Sequence, residues 1–124
     1  MRILIIEDNS DIRENLAELL GLNGYTALTA ENGRQGVTMV FEQRPNLILC
    51  DVMMPVLDGH GVFDELKKNT LTRDIPFVFI TSSVEKKDIQ YALNKGASAY
   101  ILKPFEEKEL FETIAYCLGE ASKH

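Results

Sequence analysis

Polar side chains that could do chemistry follow four short apolar runs of the sequence, each at the point where the run ends. The runs span residues 2–6, 46–50, 77–80 and 99–102, and the polar residues that follow them are Glu7, Asp8, Asp51, Thr81, Ser82 and Lys103. If the runs are parallel strands of one sheet, their carboxyl ends meet at the edge where open α/β sheets bind ligands. The sequence therefore predicts a site in which three acids, a hydroxyl and an ammonium lie close together.

The three acids of this predicted site, Glu7, Asp8 and Asp51, should repel one another unless a positive charge compensates. A hard divalent cation can do so, and Mg²⁺ prefers carboxylate, carbonyl and water oxygens. Asp8 and Asp51 are the best direct ligands, Glu7 could bind directly or through water, and the Met53 backbone carbonyl could add another oxygen. Mn²⁺ is an alternative ion, and a solvated acidic rim is the alternative interpretation.

A carboxylate next to a metal ion is also a possible nucleophile toward phosphorus. Aspartyl-phosphate chemistry needs such an acid together with positive charge on the phosphoryl oxygens. Asp51 is the favoured acceptor because its strand lies centrally, while Lys103 and the Thr81 hydroxyl could each bind one phosphoryl oxygen. Pro104 constrains the chain after Lys103, and the bond before it could be cis. Taken singly, a solvated lysine and a helix-capping threonine explain these two residues equally well.

The elements that would position these residues follow a regular order along the chain. Residues 47–50 are apolar without alternation, which is typical of a strand buried on both faces. The predicted strands span residues 2–6, 25–29, 46–50, 77–80 and 99–102, and the predicted helices begin near residues 10, 33, 59, 84 and 106. Strict alternation with right-handed crossovers predicts an α/β protein with a flavodoxin-like, doubly wound, five-stranded parallel sheet in the order 2-1-3-4-5 and five helices.

Each predicted helix carries one apolar face that should pack on the sheet. In chain order these inward residues are Ile12, Leu16, Leu19, Leu20, Val37, Val40, Phe41, Val62, Phe63, Leu66, Ile89, Ala92, Leu93, Leu110, Phe111, Ile114, Cys117 and Leu118. The polar tail, residues 119–124, should be frayed.

Composition limits the classes of protein to consider. A chain of 124 residues with 45% hydrophobic residues suits one domain with one core. Its formal net charge of -6 argues against direct nucleic-acid binding, since such domains are usually basic. The sequence has no apolar stretch long enough to span a bilayer and no secretory signal, so we expect no membrane association and a cytoplasmic location.

The cysteines and histidines do not form a recognisable metal or redox motif. Cys50 lies in a predicted buried strand and Cys117 on the apolar side of the last helix, so both are expected to be free thiols in the core. His60 and His124 lack the Cys or His partners of a metal site. We therefore interpret all four as structural or incidental.

Four motifs, taken together and in this order, resemble the receiver domain of two-component response regulators over essentially the whole chain. They are Glu7-Asp8, residues 51–59 (Asp-Val-Met-Met-Pro-Val-Leu-Asp-Gly), Thr81-Ser82 and Lys103-Pro104-Phe105. The resemblance implies that residues 1–124 form a single receiver domain. It also implies that Asp51 accepts a phosphoryl group from a phosphohistidine on a sensor histidine kinase or a histidine phosphotransfer protein.

The resemblance further implies roles for the other site residues. Mg²⁺ would be held by Asp8, Asp51 and the Met53 carbonyl, with Glu7 completing the acidic pair. Thr81 and Lys103 would contact the phosphoryl group, with a cis bond between Lys103 and Pro104.

A conformational switch is also implied by the resemblance. Thr81 would shift toward the phosphoryl group and Tyr100 would turn inward, since a phosphate attracts nearby donors and cores do not tolerate voids. The surface formed by the fourth helix, fifth strand and fifth helix would then control a downstream protein or an output domain outside these residues. The chain would be a signalling module that turns over no metabolite.

Two other functions remain open on the residues alone. A Mg²⁺-dependent phosphatase with an aspartyl nucleophile would carry an Asp-x-Asp pattern after its first strand, where this chain has Glu7-Asp8-Asn9-Ser10. A flavin-binding module would need backbone donors for the cofactor phosphate, which an acidic pair would repel. Sustained phosphatase turnover would favour the first, and a coloured protein the second.

Overall fold

Five strands and five helices alternate along the chain in the computed structural model, which describes residues 1–82 and 86–120. The elements are β1 (Arg2–Ile6), α1 (Ser10–Leu22), β2 (Thr26–Ala30), α2 (Gly33–Gln43), β3 (Leu47–Cys50), α3 (Gly59–Lys67), β4 (Phe77–Thr81), α4 (Lys86–Asn94), β5 (Ala99–Leu102) and α5 (Glu107–Cys117). Within the described residues, the helices are all too short or too polar to cross a membrane.

The strands form one parallel sheet in the order β2-β1-β3-β4-β5, which confirms the predicted fold class. The register places the strand ends side by side, because Ile6 pairs with Cys50 and Thr81 pairs with Leu102. Residues that directly follow β1, β3 and β5 therefore leave the sheet at one edge. This is the edge that the sequence pattern predicts as the functional site.

Alternate residues of the three central strands pack to opposite faces of the sheet, which explains their unbroken apolar sequences. On one face, α2, α3 and α4 cover Leu4, Ile6, Ile48, Cys50, Phe77 and Phe79. On the other face, α1 and α5 cover Ile3, Ile5, Leu47, Leu49, Val78 and Ile80. The site loops are thus mounted on a sheet that is packed from both sides.

Among the described residues, side chains cap the first turns of α1, α2 and α3. Asn9 accepts a hydrogen bond from the Ile12 amide at 3.0 Å and Asn32 accepts one from the Gln35 amide at 2.8 Å. Asp58 caps α3 in the same way. Such caps satisfy backbone donors that lack partners in the first helical turn.

Some details differ from the sequence prediction. Leu93 was predicted to face inward but is 44% exposed, and this prediction is wrong. Ala92 is buried instead, and neighbouring residues of a helix point about 100° apart, so a narrow contact stripe accommodates only one of the two. The predicted start of the fourth helix near residue 84 lies outside the described residues. Both Cys50 and Cys117 are free thiols, as expected, although Cys117 is only partly buried.

The predicted frayed tail is described only at its beginning. The Glu120 amide donates to the Ala115 carbonyl at 2.7 Å, and the Tyr25 hydroxyl donates to the Glu120 carboxylate at 2.9 Å. Residues 121–124 lie outside the described part.

Candidate functional site

The first pair of acids follows β1 directly. Glu7 is buried, with only 1% of its surface exposed, whereas Asp8 is exposed. The Glu7 amide donates to the Ala30 carbonyl at 3.1 Å, and the Asn9 amide donates to the Glu7 carboxylate at 3.2 Å. The two acids therefore differ in environment, one held inside the edge of the sheet and the other facing solvent.

Asp51 lies at the end of the central strand β3 and is 8% exposed. Its amide donates to the Ile6 carbonyl at 3.0 Å, and its Oδ1 atom accepts from the Met53 amide at 3.4 Å. The start of α3 packs against its backbone, since a Cβ atom built on Gly59 would overlap the Asp51 carbonyl oxygen. The Asp51 side chain is thus fixed at the floor of the loop cluster, not within the apolar core.

Lys103 brings a positive charge between these acids. Its Nζ atom lies 2.7 Å from Glu7 Oε1 and 3.3 Å from Asp51 Oδ2. Its amide donates to the Thr81 carbonyl at 2.8 Å, which ties the loop after β5 to the end of β4. The peptide bond from Lys103 to Pro104 is cis.

The three acids also form a candidate cation site. One carboxylate oxygen from each of Glu7, Asp8 and Asp51 lies within 4.8 Å of the others. A hard oxygen donor set of this kind is what Mg²⁺ prefers. The residues present therefore fit that ion, with Lys103 offsetting only one of the three negative charges.

The pKa values of Glu7 and Lys103 are both raised from their ordinary values. Burial raises the pKa of the Glu7 carboxyl, the charge of Asp51 acts in the same direction, and the hydrogen bonds from Lys103 and Asn9 only partly oppose them. Burial also acts to lower the pKa of Lys103, but its hydrogen bond to Glu7 and the charge of Asp51 outweigh it and raise that pKa. The ammonium therefore remains charged and compensates a carboxylate that is costly to ionise.

Comparison with known proteins identifies this arrangement, since residues 3–115 match the family model of the response regulator receiver domain. The chain belongs to this family. It is 39% identical over 122 residues to a probable transcriptional regulator, ycf27, from Galdieria sulphuraria, covering 98% of this chain and 47% of the relative. It is 41% identical over 113 residues to the phosphate regulon transcriptional regulatory protein PhoB from Escherichia coli, covering 91% of this chain and 49% of the relative.

Solved structures show the same receiver fold. One is the receiver domain of sensor histidine kinase PA1611 from Pseudomonas aeruginosa PAO1, solved with a magnesium ion coordinated in its active site cleft. It superposes with a TM-score of 0.87 at 30% identity, covering 95% of this chain and 97% of that chain. The present chain spans about half the length of the curated relatives it matches.

The receiver's remaining predicted site residues lie at the same edge or directly beside it. Thr81 is fully buried at the end of β4. Tyr100 lies two residues before Leu102, the partner of Thr81 in the sheet, and its ring centroid is 5.7 Å from that of Phe79. Met53 is exposed in the loop after Asp51. The structure thus brings the predicted residues to one end of the sheet.

His60 packs between two aromatic rings. Its ring packs 5.1 Å from the Phe79 ring and 6.2 Å from the Tyr91 ring, measured between centroids. These contacts join α3 to β4 and α4 through apolar surface. His60 is therefore a packing residue between these three elements.

One residue beside the acidic pair was missed from the sequence. Arg13, in the second turn of α1, donates from Nη1 to the Glu7 carbonyl at 2.9 Å and to the Asp8 carbonyl at 3.4 Å. The position of Arg13 in the sequence could have indicated this contact, because a long side chain one turn into a helix can reach back over the preceding loop. A charged residue on a helix is otherwise typical of a solvated surface.

Proposed function

We propose that this receiver domain is the phosphoacceptor switch of a two-component or phosphorelay system, with Asp51 as the residue that accepts the phosphoryl group. The observation that carries the proposal is the position of Lys103 Nζ, which contacts both Glu7 and Asp51 beside the cluster of acidic oxygens. Asp51 combines low exposure, a central strand and an adjacent cation, which are the properties that a carboxylate nucleophile needs.

The donor is a phosphohistidine of a sensor histidine kinase or a histidine phosphotransfer protein. A carboxylate oxygen of Asp51 attacks phosphorus in line with the phosphorus–nitrogen bond. That bond breaks with its electron pair returning to the imidazole nitrogen, and the ring leaves neutral when its other nitrogen carries a proton. The product is an aspartyl phosphate, and no metabolite is turned over.

The acidic cluster would hold Mg²⁺ for this reaction, with Mn²⁺ as a substitute. Asp8, Asp51 and the Met53 carbonyl would be the ligands, and Glu7 would bind directly or through water. When bound, the ion neutralises negative charge that accumulates on the phosphoryl oxygens. The ammonium of Lys103 pairs with two of the three carboxylates and offsets one of three negative charges, which explains why the site attracts a further positive charge.

Two side chains of neighbouring strands act on the phosphoryl group itself. Lys103 lies 3.3 Å from Asp51 Oδ2 and is placed to donate to an oxygen of the group once it is attached. The Thr81 hydroxyl, at the end of the adjacent strand β4, donates to another. Both act by stabilising the charge that develops during transfer.

The output of the switch is a change in the surface formed by α4, β5 and α5. A new phosphoryl group draws Thr81 toward it, and Tyr100 moves with it because the core does not tolerate a void. The contact of Tyr100 with Phe79 across neighbouring strands supports this coupling. The group can bias the two states only by interacting differently with each.

The partner that reads this surface is a separate protein or an output domain beyond these residues. Relatives that are transcriptional regulators have about twice the length of the matched region, which favours an output domain. Resemblance to a receiver of a sensor histidine kinase makes that context the second candidate. A net charge of -6 disfavours direct nucleic-acid binding by the receiver itself, and we propose a cytoplasmic location.

The test is covalent labelling of purified protein with acetyl phosphate, or with a phosphorylated histidine kinase, in the presence of Mg²⁺. Wild type should form an acid-stable, base-labile phosphoryl adduct, and Asp51→Asn should form none. Asp74→Asn is the matched control, because Asp74 is exposed in the loop before β4, at the opposite end of the sheet. Labelling of Asp51→Asn to the wild-type level would refute the assignment.

A further inference from the structure

Arg13 makes an unusual set of contacts for a charged helix residue next to an acidic site. Its side chain is only 14% exposed, and Nη1 donates to the backbone carbonyls of Glu7 and Asp8 at 2.9 and 3.4 Å. Its Nη2 atom lies 3.7 Å from Glu31 Oε1, in the loop after β2. The guanidinium therefore contacts the backbone of the two acids and leaves their carboxylates to other partners.

The two carbonyls that Arg13 contacts lie in a gap between regular elements. The sheet pairing of β1 with β2 and β3 ends at Ile6. The hydrogen bonding of α1 begins at the Asn9 carbonyl, which accepts from the Arg13 amide at 2.9 Å. Neither the sheet nor the helix orients the peptides on the two sides of Asp8. Arg13 contacts the carbonyls of both, while the Asn9 amide of the second peptide donates to the Glu7 carboxylate. The planes of those peptides set the direction in which the Asp8 side chain projects.

We propose that Arg13 is a positioning residue for the cation site, which fixes the loop of Glu7 and Asp8 so that their carboxylates converge with Asp51. This inference rests on the proposed function, since it assigns a role in holding the divalent ion of that site. Ligand orientation by partners outside the coordination sphere commonly changes metal affinity by about 10–100-fold.

The sign of the effect separates positioning from a simple charge effect. The guanidinium is positive and repels a divalent cation, so removal of its charge alone should tighten Mg²⁺ binding. Loss of loop orientation should weaken it instead. An Arg13→Met variant, which has a long side chain without charge or donors, therefore gives opposite results under the two explanations.

Glu31 provides a second distinction. It pairs with Arg13 at 3.7 Å but is exposed, and a surface ion pair of this kind contributes little. Glu31→Gln should therefore leave Mg²⁺ affinity within about twofold of wild type, because the carbonyl contacts of Arg13 remain. A tenfold loss in Glu31→Gln would place the effect in the ion pair and overturn the proposed route through the backbone.

The first experiment is a Mg²⁺ titration of the full chain, monitored by the amide resonances of residues 8, 9 and 52. Arg13→Met should bind Mg²⁺ about tenfold more weakly than wild type. Arg13→Lys keeps the charge but offers a single donor point, so its affinity should lie between the two. Arg34→Met is the matched control, since Arg34 pairs with Glu65 on the surface and should leave affinity unchanged. Unchanged or tighter binding in Arg13→Met would overturn the proposal.

The second experiment needs no metal. In EDTA, hydrogen exchange at the Asn9 amide, which donates to Glu7, should be faster in Arg13→Met than in wild type. Amides of β3 and β4 should be unaffected, which shows that the fold is retained. Equal exchange at Asn9 in both proteins would contradict the positioning role. These outcomes are distinct from a failure of the proposed function, in which wild type itself would show no Mg²⁺-dependent labelling of Asp51.

Discussion

The ammonium of Lys103 lies closer to Glu7 than to Asp51, with Nζ–oxygen distances of 2.7 and 3.3 Å. Glu7 is the more deeply buried of the two acids. Lys103 therefore has two functions at once, compensating a buried carboxylate in the resting protein and standing within reach of the proposed phosphoacceptor. A change at this position should affect stability as well as phosphoryl transfer.

Lys103→Met should destabilise the metal-free protein by about 3 kcal/mol, because removing one member of a buried pair leaves the other charge without compensation. Urea denaturation in EDTA measures this loss. Lys108→Met is the matched control, since Lys108 is exposed and 3.9 Å from Glu112, and it should change stability by less than about 0.5 kcal/mol. Mg²⁺ should restore part of the stability of Lys103→Met. Equal stability of the two variants in EDTA would contradict the role of Lys103 as the counter-ion of Glu7.

Gly59→Ala should disturb the site from its backbone side. The new Cβ would overlap the Asp51 carbonyl oxygen and the Val52 backbone, which cannot move aside as a flexible side chain could. We expect a loss of about 2 kcal/mol of stability and slower labelling of Asp51. Thermal unfolding and a labelling time course measure the two effects.

The control for Gly59→Ala is Gly21→Ala, in α1, where an added Cβ meets no atom within 4 Å. Alanine favours a helix over glycine by about 1 kcal/mol, so this variant should be slightly more stable and should label normally. Normal stability and labelling in Gly59→Ala would show that the start of α3 does not constrain Asp51.

The sequence was sufficient to predict the fold and the edge of the sheet where the polar residues gather. Asp51 and Thr81 come directly at strand ends, and parallel strands necessarily bring such positions together. The sequence also predicted that Lys103 lies close to the acids, but not its shorter distance to Glu7 or the backbone contacts of Arg13. Both side chains are long, and their partners depend on rotamers and on the course of loops that have no periodic pattern. The exposure of Leu93 was not predicted for a related reason. The sequence shows that Leu93 is apolar, but not how wide the face is that α4 buries against the sheet.

Tyr25 should show an effect of pH on stability away from the site. Burial and then the hydrogen bond to Glu120 raise the pKa of its hydroxyl to about 12, from an ordinary value of 10.0. The neutral phenol is thus favoured in the folded state. Its contribution to stability should be fully present below a pH of about 10 and lost as the pH rises toward about 12.

Two measurements check the behaviour of Tyr25. Ultraviolet titration of the 4 tyrosines should show a late ionisation that Tyr25→Phe removes. In urea denaturation, the stability difference between wild type and Tyr25→Phe should shrink across the same pH window. Tyr116→Phe is the control. Tyr116 is exposed, so this variant should still show the late ionisation of Tyr25. A stability difference that grows with pH would contradict the assigned sign.

Val56→Gly should increase the stability of the folded protein, because the Val56 backbone has a conformation that a β-branched residue rarely adopts. Its φ is 73°, and the Leu57 amide donates to the Pro55 carbonyl at 2.8 Å across it. The residue is 81% exposed, so little packing compensates the strain. Relief of about 1–2 kcal/mol exceeds the entropic cost of glycine, and Val56→Gly should gain about 0.5 kcal/mol in urea denaturation. Val56→Ala keeps a Cβ atom and should gain less. If Val56→Gly is instead less stable than wild type, the valine side chain stabilises the turn after Asp51 by more than its backbone conformation costs.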